Sequence, residues 1–527
     1  MKPLEISFRT KNEKILIITI LSLFVVSLFH NLGIAPLVLE EPRRAIVAIE
    51  MLFSGNFIVP TEFGAFYYIK PPVWNWIIIL AFKIFGSYSE FAVRFFTPVF
   101  HLLTGFLIFQ YCRKYISFTT AVVASVCYLV CGDLFLYFVI LGEIDIFYSY
   151  ITVLMLFLIF RFDRQEKYWQ MYIWTYTLMA IGFLTKSFPS IAFLGVSLLA
   201  LAFLKRKIKF LFHPAHFVGV FVFILIVFGY FYVYSLYNKI SSFMDVLVEH
   251  IKMRTASSHS FGDLLANLFI FPGNFILNNF PALLMLIFIP FKKFRSAIKE
   301  NEFVRFVWFI LLANAALYWI SPGTRQRYVY MLYPLWGIVL SYFFTQNFHT
   351  SQIKQKIFDI LAYFIAGAAG LAILISIFIP NFNFIPLLWA KLTFVFLIFI
   401  LVFLWLKKLK WNTLFFIVIG MIAVRFVFNF TILPERDRAG EPKVFEESAK
   451  IIAQMTKGQD VYMFEGSLPS RVFVFYYERE KNAILPFTAQ KDLKAYYIIK
   501  QEDEHKIEGK EVYRFHAKNM DYILKLR

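Results

Sequence analysis

An α-helical polytopic membrane protein with a small C-terminal α/β domain is the architecture this sequence predicts, and three observations carry it. Of 527 residues, 60% are hydrophobic and only 17% charged, a balance outside the soluble classes. Apolar runs of about twenty residues, the length that crosses a bilayer, follow one another from Ile15 onward. From Pro434 the composition turns polar and stays so.

The elements follow in order. The basic tail MKPLEISFRTKNEK precedes an apolar run long enough to span and without a small-residue cleavage site, which reads as a retained first helix. About thirteen spans are expected, near 15–34, 91–111, 117–137, 144–160, 169–186, 188–204, 215–236, 269–290, 303–320, 328–345, 357–379, 386–406 and 411–431. The basic clusters CRKY, RFDRQEK, LKRKIKF, FKKFR, QIKQK and LKKLK each follow an even-numbered span. By the positive-inside rule these loops and the N-terminus are cytoplasmic, and an odd count leaves the C-terminus outside.

Residues 35–90 form a long first outer loop. Within it, 45–53 reads as an amphipathic helix, and VWNWIIILAFKIFG, at about fourteen residues, is too short to span. Two interfacial helices are expected there. Further outer segments cover 237–268 and 321–328. The division is then a transmembrane domain over 1–433 and a soluble α/β domain over 434–527. In the latter, KVFEESAKIIAQMTKG reads as a helix ending at Gly458, followed by strand-like DVYMFEG, AYYIIK and EVYRFH.

The formal net charge of +19 sits in short clusters between apolar runs, the pattern of cytoplasmic loops, so no nucleic acid partner is expected. Cys112, Cys127 and Cys131 lie in or at the ends of apolar segments and read as packing residues, not as a disulfide or zinc framework. No cofactor is expected; a divalent metal is left open, without a ligand cluster to hold it. A monomer is expected.

Ionisable residues at the ends of spans are costly unless solvated or paired, which makes them functional suspects. They collect on the outer side: Glu40, Glu41, Arg43 and Arg44 in LEEPRRAIVAIEM, then Lys70, Glu143, Asp145, Lys186, Glu249, His250, Arg254, Arg325 and Arg327. A transporter would place polar breaks near the midplane of matched halves. One-sided chemistry favours an enzyme. Carboxylates beside fixed cations suit activation of a hydroxyl together with stabilisation of a departing phosphate, for which Arg offers bidentate contacts and Lys a point charge. Structural readings stand beside these: snorkelling for Arg43, Arg44 and Lys70, a helix N-terminus for Glu40 and Glu41, a solvated turn for Arg325 and Arg327, and a structural or lipid-facing role for His250.

The stretch from EEPRRAIVAIEMLFSGNF through EFGAFYYIKPPVWNW to FGSYSEFAVR resembles the first outer loop of GT-C glycosyltransferases of the aminoarabinose transferase and protein mannosyltransferase type. GEIDIFYS is similar to that family's second acidic motif, LTKSFPS to its Thr-Lys-Gly-Pro turn, EHIKMR to its lipid-side loop and SPGTRQRYVYMLYP to its basic turn. The likeness in motif order covers about residues 30–340. Two departures are visible: Glu40 stands where the family has Asp, and Ser187 stands at the turn's third position, with the proline delayed to Pro189.

The resemblance implies transfer of a sugar from a polyprenyl-phosphate donor, by inverting displacement, to a lipid A, other glycan or protein acceptor on the periplasmic face of the bacterial inner membrane. It implies Glu40, Glu41 and Asp145 as catalytic carboxylates, with Glu40 and Glu41 undecided as base. Arg43, Arg44, Lys70, Glu143, Lys186, His250, Arg254, Arg325 and Arg327 are the candidate substrate-binding residues. A lipid-linked-glycan flippase, and a ligase or polymerase using diphosphate-linked donors, are the alternatives.

Overall fold

The computed structural model describes residues 3–252, 260–321, 324–438, 440–517 and 520–527. Each expected span is occupied by helix, from Lys11–Phe29 to Leu414–Phe430. Among the described residues nine helices are long and apolar enough to cross a membrane, or eleven if each of two bent pairs is one span. Thirteen is therefore not reached on length and composition. The shortfall lies in Tyr168–Lys186, whose apolar character is diluted by Tyr, Thr, Gln and Lys, and in Pro189–Lys205, which has only 17 residues.

The bends have identifiable causes. Phe118–Leu129 breaks by 43° into Asp133–Ile140, which opens with one π-helical turn. Gly262–Asn278 turns by 104° into Ala282–Phe288. The breaks meet where the Gly132 amide donates to the Phe280 carbonyl at 2.8 Å. A widened turn frees backbone carbonyls, and in an apolar interior these need donors. Fully buried Arg425 supplies one, donating to the Phe135 carbonyl at 2.6 Å, and ties the turn to the first helix by donating to the Ser27 carbonyl at 3.2 Å.

The first loop contains two helices, as expected. The rim helix, Glu41–Ser54, ends at Gly55 (φ +70), and the second loop helix, Val73–Phe85, ends at Gly86 (φ +59), the left-handed termination that favours glycine. Between them β1 (Thr61–Glu62) and β2 (Ala65–Phe66) form a hairpin. The rim helix is buried along most of its length, from Ala45 through Met51, because it packs between the second loop helix and a helix of the C-terminal region, Arg471–Lys481.

That C-terminal region is a mixed five-stranded sheet with β3 (Val461–Phe464), β4 (Phe487–Thr488), β5 (Tyr496–Lys500), β6 (Lys510–Ala517) and β7 (Met520–Leu526) in the order β4-β3-β5-β7-β6. β3 runs parallel to β4 and β5, while β7 runs antiparallel to β5 and β6. Helices Glu441–Met455 and Arg471–Lys481 pack against each other, and the latter, here called the docking helix, covers the rim helix.

Candidate active site

The charged motifs converge at one end of the bundle, and two neighbouring acids prove to have different surroundings. Glu41, the first residue of the rim helix, is fully buried. Its two oxygens accept from Arg94 Nε at 2.8 Å and Nη2 at 2.9 Å, from the Gly142 amide at 2.6 Å and from the Val38 amide at 2.9 Å. Arg94 also donates to the carbonyls of Leu32, Ala35 and Pro36, so both members of the pair are saturated. Glu40 lies one residue earlier with its side chain 32% exposed, and accepts from Arg43 Nη1 at 2.5 Å.

Glu41 sets the second acidic motif in place. Its bond to the Gly142 amide, together with one from Trp74 Nε1 to the Gly142 carbonyl at 3.0 Å, fixes the residue before Glu143. A Cβ on Gly142 would stand 2.7 Å from Val93 Cγ1 and 2.9 Å from the Val93 carbonyl oxygen, so only glycine allows the two segments to approach this closely. Glu143 then stands at the start of the helix Ile144–Arg164, with Asp145 in its first turn.

Glu143 accepts from the Glu40 amide at 3.3 Å and has Arg327 Nη1 at 3.7 Å. Burial, reinforced by the Asp145 charge, pushes its carboxyl up to about 7 against the pull of Arg44 and Arg327. Asp145 and Lys186, both buried, are bound at 2.5 Å. The ammonium also lies over the Tyr148 ring at 5.1 Å and the Tyr328 ring at 4.7 Å.

The arginines of the rim helix are shared out. Arg43 bridges Glu40 and Glu62, with Nε 3.4 Å from the latter, and Glu62 is in turn 2.5 Å from Arg471 Nε on the docking helix. Arg44 is buried and donates to the Tyr67 hydroxyl at 2.9 Å. Lys70 is half-buried in the segment between the hairpin and the second loop helix, and Arg325 is exposed at the start of the short 3-10 helix Gln326–Leu332. His250 falls in the helix Ile240–Lys252, but its side chain and all of Arg254 lie outside the described residues. Among the described residues no cluster of three or more His, Cys, Asp or Glu could hold a metal ion.

Sequence reasoning missed Arg94, Glu62, Tyr67, Glu50 and Arg471. Arg94 had a visible signal: it closes the FGSYSEFAVR stretch just before an apolar span, where a cation needs a partner. Arg471 had none, because its partner is 409 residues away.

A family model described as dolichyl-phosphate-mannose-protein mannosyltransferase matches residues 69–232. The undecaprenyl phosphate-alpha-4-amino-4-deoxy-L-arabinose arabinosyl transferase of Edwardsiella ictaluri is 38% identical over 91 residues, 17% of this chain and 16% of that one. An uncharacterised protein of Aquifex aeolicus is 23% identical over 458 residues, covering 86% of this chain and 84% of its own length. Crystal structures of ArnT from Cupriavidus metallidurans superpose over 96% of this chain and 97% of theirs. The apo state gives a TM-score of 0.70 at 17% identity, and the form bound to undecaprenyl phosphate 0.69 at 16%.

The chain has the fold of these ArnT structures. The resemblance read from the motifs is borne out at that level. Within this fold the charged residues described above occupy the junction of the first loop, the GEIDIFYS segment and the start of Gln326–Leu332.

Proposed function

We propose that this chain is a membrane glycosyltransferase that moves a sugar from a polyprenyl-phosphate donor to a cell-envelope acceptor, lipid A, another glycan or a protein, on the periplasmic face. The observation that carries this reading is the meeting of Glu40, Glu143, Asp145, Lys186 and Arg327 at one bundle end, from motifs up to about 290 residues apart. The ArnT structure with undecaprenyl phosphate supports the donor class.

In this reading Glu40 is the base, because it is the acid with exposed surface, whereas Glu41 has no free lone pair to offer. The acceptor hydroxyl oxygen attacks the anomeric carbon, and its proton passes to the Glu40 carboxylate. The bond from that carbon to the phosphate oxygen breaks on the opposite face, so configuration inverts and the electron pair leaves with the phosphate. Arg43, Lys70, Lys186, Arg325 and Arg327 are the cations placed to receive the charge that develops there. Arg43 is bound to Glu40, which sets the guanidinium beside the carboxylate that takes the acceptor proton. Asp145 positions Lys186, and Glu41 positions the Glu143–Asp145 segment through Gly142.

The test is transfer by the purified protein in proteoliposomes supplied with undecaprenyl-phosphate aminoarabinose and lipid A, then with other monophosphate-linked sugars and envelope acceptors. Glycosidic product from a monophosphate donor is the expected result. Donor movement across the bilayer without product, or product only from diphosphate-linked donors, would contradict the reading.

A further inference from the structure

At the bundle end bearing the basic clusters lies a cavity of about 930 Å³, lined by the end of Pro189–Lys205, the turn after it, and the helices Phe294–Lys299 and Glu302–Trp319. Its size falls in the roughly 300–1,000 Å³ range of small-molecule sites. The lining joins two chemistries. Phe203, Trp308 and their aliphatic neighbours form an apolar wall, and Arg206, Arg295, Lys299 and Arg305 supply four cations.

Arg206, Arg295 and Lys299 are exposed at the cavity mouth, and Arg305 is half-buried deeper in it. Lys205 is bound to Asp163 at 2.7 Å and Arg164 to Glu302 at 3.3 Å, while Glu300 is exposed in the turn between the two helices. None of the four cavity cations has a carboxylate or a side-chain hydrogen-bond partner among the described residues. Arg305 carries this furthest, because its Nε is buried with no acceptor. A buried guanidinium nitrogen left without an acceptor costs free energy unless an acceptor comes from elsewhere.

We infer that this cavity is a binding site for an anionic phospholipid, with the headgroup phosphate held by Arg305, Arg295, Lys299 and Arg206 and the acyl chains along Phe203 and Trp308. Charge complementarity and the apolar wall together select this occupant, since a free phosphate would leave the wall wet and a zwitterionic lipid would leave the cations in excess. The site lies apart from the carboxylates and cations of the transfer reading and does not depend on it.

The test is binding of dioleoyl phosphatidylglycerol to the purified, delipidated full chain by native mass spectrometry, against dioleoyl phosphatidylcholine and inorganic phosphate. Arg295→Gln with Arg305→Gln should weaken phosphatidylglycerol binding by about fivefold per charge removed, and Lys407→Gln with Lys408→Gln, outside the cavity, should not. If the Arg305 variant misfolds, Arg206→Gln with Lys299→Gln tests the same cations from the cavity mouth. Equal retention of phosphatidylcholine, competition by millimolar phosphate, or equal loss in the Lys407 and Lys408 variant would overturn the inference.

Discussion

At the scale of single residues, the adjacent acids Glu40 and Glu41 divide the work of the first motif. Glu41 and Arg94 form a bidentate buried pair whose every polar atom is used. Removing one member of such a pair leaves an uncompensated charge and typically costs about 3–5 kcal/mol. Glu41→Gln and Arg94→Ala should therefore lower the melting temperature, with activity lost in step, in thermal denaturation of detergent-solubilised protein. Ser187 offers the opposite case. Its φ of +69 with ψ of −138 is a conformation at ease only for glycine, the residue the family carries at this point in the turn. Ser187→Gly should raise stability by about 1 kcal/mol, read as a higher melting temperature. The sequence showed the departure at Ser187. The φ that makes it matter, and the bond from Glu41 to Gly142, became visible only in the folded chain.

At the scale of elements, the docking helix is the less anticipated feature. The amphipathic pattern of 45–53 located the rim helix correctly but suggested a helix with one free face, because hydrophobic periodicity does not say what covers the polar side. Here the cover is Arg471–Lys481. Two acids meet in that interface: Glu50, which accepts from the Phe63 and Gly64 amides, and Glu478, which accepts from the Leu485 amide. Burial is the main cause that raises both carboxyls, and each is raised further by acidic neighbours, Glu62 beside Glu50 and Glu50 beside Glu478. Folded pKa values above the unfolded value favour the protonated interface. Its contribution is complete below the ordinary carboxylate range and is lost as pH rises through the raised values. The melting temperature should therefore fall as pH rises from about 4.5, the ordinary carboxylate value, through about 7, to which the Glu50 carboxyl is raised. Glu478→Gln, whose amide can donate to Glu50, should flatten that dependence and raise stability at the upper end. A second prediction concerns the Arg471–Glu62–Arg43 chain. Arg471→Ala should weaken donor binding by up to about tenfold through a misplaced Arg43, a loss of the order of one charge-assisted hydrogen bond, in a donor titration on the folded protein.

At the scale of the whole molecule, the sequence made the layout legible wherever the signal was local. Apolar length marked the helical segments, and the polar shift after Pro434 marked the sheet region, because both follow from composition over a short window. The span count was less legible, since the aromatic and polar content of Tyr168–Lys186 and the brevity of Pro189–Lys205 separate helix from membrane crossing. The motif residues were named from their chemistry, but their partners depend on tertiary distance: Glu41 with Arg94, Asp145 with Lys186 and Glu143 with Arg327. The central claim is that this assembled end transfers sugar with Glu40 as base. The most direct measurement is single-turnover transfer from a saturating polyprenyl-monophosphate sugar, comparing wild type with Glu40→Gln. The account predicts a rate lower by about 10² to 10⁴ in Glu40→Gln, with donor affinity and melting temperature unchanged. Wild-type turnover in that variant would contradict it.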